Sequence, residues 1–257
     1  MQVKNLIAGL CVSSLIFVGS AAFAKPAAPS APPAKSDSAT PAKGASPAPM
    51  SEKGDTSGKD AKAKQDAKAA KEGPAVGEKA PAFALKDYSG KEVKLEDLLK
   101  TNKAVVVQWF NPGCPFVSMH YLNGVSTFND LHKDFSGKGI AFVGINSGAA
   151  GLQGHGDKTN KDAIKDWKIQ YPILNDESGT VGRAYSAKTT PQMFIITADG
   201  IVAYNGAIDN NQGRDKKDAD VKNYVRSALE EIVAGKTVTT SSNKPYGCSV
   251  KFAANKK

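Results

Sequence analysis

The stretch Val107-Gln108-Trp109-Phe110-Asn111-Pro112-Gly113-Cys114-Pro115-Phe116-Val117 decides how the rest of the chain is read. Together with Ala104-Val105-Val106 before it, it forms an apolar, β-branched run that stops at Asn111-Pro112-Gly113. Such a run suits a strand covered on both faces, and the Asn-Pro-Gly step breaks the chain. Beyond it, Val117, Tyr121 and Leu122 recur at helical spacing. One cysteine, Cys114, is therefore expected at the start of a helix that directly follows a buried strand. Pro115 in the first helical turn loses no hydrogen bond and fixes φ. Unpaired backbone N–H groups and the helix dipole at such a place favour a thiolate over a thiol. A reactive cysteine is the expectation, against the alternative of a buried structural one.

Upstream, Phe83-Ala84-Leu85, Tyr88-Ser89-Gly90-Lys91, Val93 and Leu95 read as a small hairpin turning at Ser89-Gly90. Downstream, Asn123-Gly124 interrupts the helix, and Phe128, Leu131 and Phe135 continue in a second one. Ile140 to Asn146 is a second buried strand. A helix follows from Lys161 to Trp167, and Tyr171-Pro172-Ile173-Leu174 leads into a short strand or loop. Met193 to Thr197 and Ile201 to Asn205 flank Ala198-Asp199-Gly200, a hairpin signal. Val221, Val225, Leu229, Ile232 and Val233 mark the last long helix, ended by Gly235. Helices between buried strands, closed by a hairpin, predict an α/β fold with a mixed central sheet.

A second signal is Lys188-Thr189-Thr190-Pro191-Gln192-Met193, a Thr-Pro step immediately before a strand. A proline entering a strand from a tight turn is where a cis peptide bond is used. A cis bond there would leave the backbone N–H and C=O of Thr190 free to pair with an extended substrate lying over Cys114. The alternative is an ordinary trans turn.

Outside this domain the sequence changes character. Residues 1–24 join a positive start to an apolar run from Leu6 to Val18 and an Ala22-Phe23-Ala24 end, the pattern of a secretory leader cleaved after Ala24. An uncleaved anchor is the alternative. Cys11 would leave with the leader, since Leu10 before it makes a poor lipidation signal. Residues 25–73 hold 13 Ala, 9 Lys, 7 Pro and 6 Ser with no aromatic residue and no Val, Ile or Leu. That composition cannot offset its ordering entropy by burial and predicts a disordered linker. The formal charge of +9 over 257 residues is thus uneven: within 74–257, Lys and Arg exceed Asp and Glu by only 24 to 19. Nucleic acid is not an expected partner. Neither is a membrane, once the leader is removed. The three cysteines, Cys11, Cys114 and Cys248, are too few for a disulfide framework and lack structural-zinc spacing.

The cysteine turn and the Thr-Pro step together make residues 74–257 resemble the thioredoxin superfamily. Within it the chain looks like the redoxin (alkyl hydroperoxide reductase/thiol-specific antioxidant) group. The likeness rests on Trp109 to Tyr121, Thr190 to Asp209, and Lys244-Pro245-Tyr246-Gly247-Cys248-Ser249-Val250-Lys251-Phe252. It implies a thioredoxin-like fold with Cys114 as nucleophile and Pro191 as the cis-proline. Substrate contacts are expected from Thr190, Trp109 and Pro115. Two departures narrow the chemistry. Val117 stands where a Cys-x-x-Cys enzyme carries its second cysteine, so that position cannot resolve a mixed disulfide. A peroxiredoxin would carry proline at position 107 and Thr or Ser at 111; this chain has Val107 and Asn111. The hydroxyl that helps hold peroxide is missing.

Cys248, in a Pro- and Gly-flanked tail that could fold back, is the expected resolving cysteine. A structural Cys114–Cys248 bridge and two independent thiols are the alternatives. The reading is an exported, periplasmic thiol-disulfide oxidoreductase without a cofactor. It would act on a protein or small-molecule thiol or disulfide and be served by a separate redox partner. Competing readings are a peroxiredoxin-like thiol peroxidase, a silent module binding an extended peptide along the Pro191 edge, and a periplasmic copper carrier. The ligands open to copper are Cys114, Met119, His120, His155 and Cys248. No metal site is expected from them: on a regular helix Cys114 and His120 point about 120° apart.

Overall fold

A computed structural model describes residues 73–254. The leader expected over 1–24, with Cys11, and all of the linker but Gly73 lie outside the described residues.

The chain enters through a hairpin, β1 (Ala84–Lys86) and β2 (Glu92–Lys94), turning at Ser89-Gly90 as expected, with Ala84 opposite Lys94. The expected continuation of the strand to Leu95 is not found. Leu95 instead opens α1 (Leu95–Thr101), which has Glu96 and Asp97 in its first turn and Lys100 in its last. That charge order suits the helix dipole.

The central sheet has five strands. Strand β3 (Ala104–Trp109) pairs in parallel with β4 (Ile140–Asn146), from Ala104 opposite Ile140 to Trp109 opposite Ile145. β4 pairs in parallel with β5 (Ile173–Asn175). On the other side β3 runs antiparallel to β7 (Met193–Thr197), which turns back into β8 (Val202–Gly206). The sheet is therefore mixed, as the element order predicted.

Alternation along β3 sorts its side chains between two cores. Ala104, Val106 and Phe110 face α3 (Thr127–Phe135) and α6 (Tyr224–Val233), packing with Phe128, Leu131, Phe135, Val225 and Leu229. Val105, Val107 and Trp109 face the opposite layer, where Phe83, Val93, Leu95, Val181 and Tyr185 cover them. Further helices differ from expectation, α6 among them, which begins at Tyr224 and leaves Val221 outside it. α4 (Asp157–Asp166) starts earlier than the apolar pattern showed, and α5 (Thr180–Ala184) was not foreseen. The buried carboxylate of Asp176 holds the first turn of α5, accepting from Val181 N at 3.2 Å and Gly182 N at 2.8 Å. Past α6 the chain returns across the sheet end and forms β9 (Cys248–Ser249), antiparallel to β6 (Thr189–Thr190). Among the described residues no helix is long and apolar enough to cross a membrane.

Candidate active site

Strand β3 delivers Cys114 by a turn held both by its own hydrogen bonds and by the loop after β4. Asn111 Oδ1 accepts from Gly113 N at 2.8 Å, and Asn111 O accepts from Cys114 N at 3.1 Å. An asparagine whose side chain bonds two residues on stabilises such a turn. The loop after β4 braces it from outside: Asn111 Nδ2 donates to Gln153 O at 3.2 Å, and Gln153 Nε2 donates to Gly113 O at 2.7 Å. No local pattern marks Gln153, because its partners lie about forty residues away along the chain.

Cys114 caps α2 (Pro115–Ser118), with Pro115 in its first turn and exposed. The expected longer helix through Leu122 is corrected here to a single helical turn. His120 N and Tyr121 N bond three residues back, to Val117 O and Ser118 O, in the tighter pattern of turns. A one-turn helix has few aligned peptide dipoles, so the surroundings of Cys114 depend mainly on what faces it. That group is Thr190: Cys114 Sγ donates to Thr190 O at 3.0 Å, and Cys114 is 0% exposed. The Thr190–Pro191 bond is cis, and both residues are buried.

The Thr190 edge is not open, which corrects the expectation of a free backbone awaiting substrate. The chain's own tail occupies it, with Cys248 as the strand partner of Thr190 and Ser249 as that of Thr189. Cys114 and Cys248 stand as free thiols. Burial, and then the hydrogen bond and charge of Cys114, push the Cys248 thiol up to about 11, while Lys251 and the Phe116 N–H act the other way. Cys248 therefore keeps its proton through neutral pH.

The other residues singled out in the sequence have partners of their own. Trp109 is 0% exposed and lies in the opposite core from Cys114. Its Nε1 donates to Ser147 Oγ at 3.2 Å, and its ring packs at 5.2 Å from Tyr185 and 5.4 Å from Phe194. It offers no face to a substrate here, contrary to the expected contact. His155 Nε2 pairs with Glu177 Oε2 at 3.2 Å rather than reaching Cys114. Met119 packs against the core of the Cys114 side. Among the described residues no three His, Cys, Asp or Glu side chains gather closely enough to hold a metal ion.

His120 belongs to a buried relay that sequence reasoning missed. Its Nδ1 lies 3.2 Å from Thr127 Oγ1 and its Nε2 3.3 Å from Tyr246 Oη, while the Tyr246 hydroxyl donates to Asp209 Oδ1 at 2.7 Å. Burial lowers the imidazole to about 4, with Asp209 opposing and Arg214 reinforcing the shift. The unfolded chain takes up this proton near 6.5, whereas the folded chain does so only near 4, so stability from His120 is lost as pH falls through that window. Thermal melts between pH 7 and 4 are expected to drop more steeply for the wild type than for His120→Gln. Parallel curves would exclude protonation of buried His120 as the cause.

A mixed five-stranded sheet, with a cysteine at the β3–α2 turn facing a cis-proline, defines a thioredoxin-like fold. The chain belongs to the AhpC/TSA family, whose pattern matches residues 76–205. That match stops before α6 and the tail carrying Cys248. The thiol-disulfide oxidoreductase ResA of Bacillus thuringiensis subsp. konkukian is 24% identical over 129 residues, covering 49% of this chain and 66% of ResA, just under two thirds. The chloroplastic peroxiredoxin Q of Suaeda salsa is 26% identical over 155 residues, covering 56% of this chain and 64% of that protein. The crystal structure of an uncharacterized conserved protein from Geobacillus kaustophilus is similar at 30% identity with a TM-score of 0.63, covering 71% of this chain and 94% of that one.

Proposed function

We propose that this chain is a thiol-disulfide oxidoreductase in which Cys114 is the nucleophile and Cys248 the resolving cysteine. The observation that carries this reading is the placement of Cys248 directly opposite Thr190, whose carbonyl holds the Cys114 thiol. Cys248, whose thiol burial pushes up, suits the second step, and the first is assigned to Cys114.

The thiolate of Cys114 attacks one sulfur of a substrate disulfide, R–S–S–R′, forming Cys114–S–S–R and expelling R′S⁻, which takes a proton. Cys248 then loses its proton and attacks Cys114 Sγ, forming the Cys114–Cys248 bond and expelling RS⁻. A separate dithiol returns both cysteines to thiols. Run backwards, the same steps oxidise a dithiol. Thr190 and Pro115 would border the incoming sulfur, Pro191 would shape the edge, and Trp109 would support the turn from behind. Residues 1–24 as a leader and 25–73 as a linker would make the protein exported and periplasmic.

The peroxidase alternative needs a group at position 111 to hold peroxide, but both ends of the Asn111 amide are already engaged. The copper alternative finds its candidate ligands otherwise engaged: His120 faces Thr127 and Tyr246, His155 faces Glu177, and Met119 packs against the core.

Thiol trapping with mass spectrometry tests the reading. After mild oxidation a reducible Cys114–Cys248 bond is expected, absent in both Cys114→Ser and Cys248→Ser. Two free thiols after oxidation would overturn it.

A further inference from the structure

The C-terminal segment is fastened at points on both sides of the site. Asn243 Oδ1 accepts from Ala207 N at 2.7 Å, and Asn243 Nδ2 donates to Tyr204 Oη at 2.9 Å. Tyr246 reaches into the buried relay with Asp209 and His120, and its ring meets Phe116 edge-on at 6.2 Å. After β9, Val250 N donates to Lys188 O at 3.1 Å, and Lys251 O accepts from Ala149 N at 2.8 Å. Phe252 ends the run beneath the Arg183 guanidinium, 4.7 Å from its ring centre. It fills a hollow that exists because residues 179 and 182 are glycines: a Cβ there would come within 2.7 and 2.6 Å of the ring. Arg183 Nη2 closes the far end by donating to Ala253 O at 2.8 Å.

Beneath this segment Cys114 is fully buried, although Gly113 and Pro115 on either side of it are exposed. The burial is therefore local, and the tail lies against it: Cys248 is within hydrogen-bond reach of the Cys114 sulfur. The fit of the tail depends on Gly247, whose φ is 131° and whose position would set a Cβ 2.1 Å from Thr190 O and 3.2 Å from Pro191 N. Only a residue without a side chain seats the strand this deeply.

We propose that residues 246–252 form a displaceable strand latch. The latch holds the reduced site shut, and an extended peptide bearing the substrate sulfur reaches Cys114 by exchanging with β9 along Thr189–Thr190. This rests on Cys114 being the reacting thiol. It names the substrate class as an unfolded or loop segment able to pair by its backbone. It also makes access, rather than sulfur chemistry alone, a step that sets the rate.

The test is the rate at which iodoacetamide alkylates Cys114 in the reduced full chain, followed by peptide mass spectrometry. Local opening must precede modification of a buried group. Wild-type Cys114 is expected to react at least about 100-fold more slowly than in denaturant, and Phe252→Ala and Gly247→Ala each to speed it by about 10-fold or more. Circular dichroism checks that each variant remains folded. If Gly247→Ala does not fold, Phe252→Ala decides, because its ring lies at the far end of the tail. Wild-type rates in the folded variants, or a wild-type Cys114 as reactive as in denaturant, would overturn the latch. These rates are read without substrate or oxidant. Failure to form the Cys114–Cys248 bond would thus sink the two-cysteine reading and leave the latch standing, while unchanged alkylation would do the reverse.

Discussion

The Cys248→Ser chain is expected to stop halfway through its reaction. Cys114 would still attack the substrate disulfide and release the first thiol. The serine hydroxyl, nearly isosteric with the thiol, would then sit opposite Thr190 without a sulfur to offer. Pairing of β9 runs through backbone atoms, so the tail itself should stay in place. The mixed disulfide would persist until an outside thiol found a buried sulfur, and turnover should fall by at least about 100-fold, roughly 2.7 kcal/mol of barrier. Mass spectrometry should show one substrate fragment on Cys114, and none in Cys114→Ser. Turnover within a few-fold of wild type would assign Cys248 a different role. A purely structural bridge is separated by the same variant: closing so long a loop contributes on the order of 4–5 kcal/mol in the chain-entropy model. In that case oxidised wild type would melt far above Cys248→Ser while both turned over alike.

Most of the sheet was legible because each element carried its own signal. Ala104–Trp109 and Ile140–Asn146 are apolar apart from Gln108 and Asn146, as suits strands covered on both faces, and Asp199-Gly200 marks the β7–β8 turn. The cysteine turn and the Thr190–Pro191 step were visible for the same reason. What the sequence hid depends on distant partners. Leu95 fits the period of two set by Val93 as well as the helical spacing to Leu98 and Leu99, and packing chose the helix. β9 is two residues long in a segment rich in Gly, Pro and Ser, and its partner lies 58 residues earlier. No local pattern could announce that pairing. The relay among His120, Asp209 and Tyr246 is hidden likewise, since its members come from three separate stretches. The candidate sulfur was therefore readable, while the strand that pairs beside it was not.

Trp109 tests the difference between a residue near a site in sequence and one that serves it in space. Alternation along β3 sends Val105, Val107 and Trp109 to one core while Phe110 faces the side that receives Cys114. Trp109→Ala would remove a fully buried ring packed on Tyr185 and Phe194 and leave Ser147 Oγ, itself bonded to Asp176 Oδ2 at 2.7 Å, without the indole donor. Truncation of a buried aromatic side chain costs about 3–5 kcal/mol, against a total stability of about 5–15 kcal/mol. For a domain of this size the melting temperature should fall by roughly 6–20 °C. At a temperature where the variant is still folded, its KM for a peptide substrate should match wild type, because no atom of Trp109 reaches the surface. A raised KM with little change in melting would mean that the turn moves on substrate entry and brings the indole into contact. The sheet argues otherwise. Trp109 N donates to Gln192 O at 2.8 Å, and the residue is paired with Ile145, so strands on both sides hold its backbone. What can move at this end of the sheet is the tail.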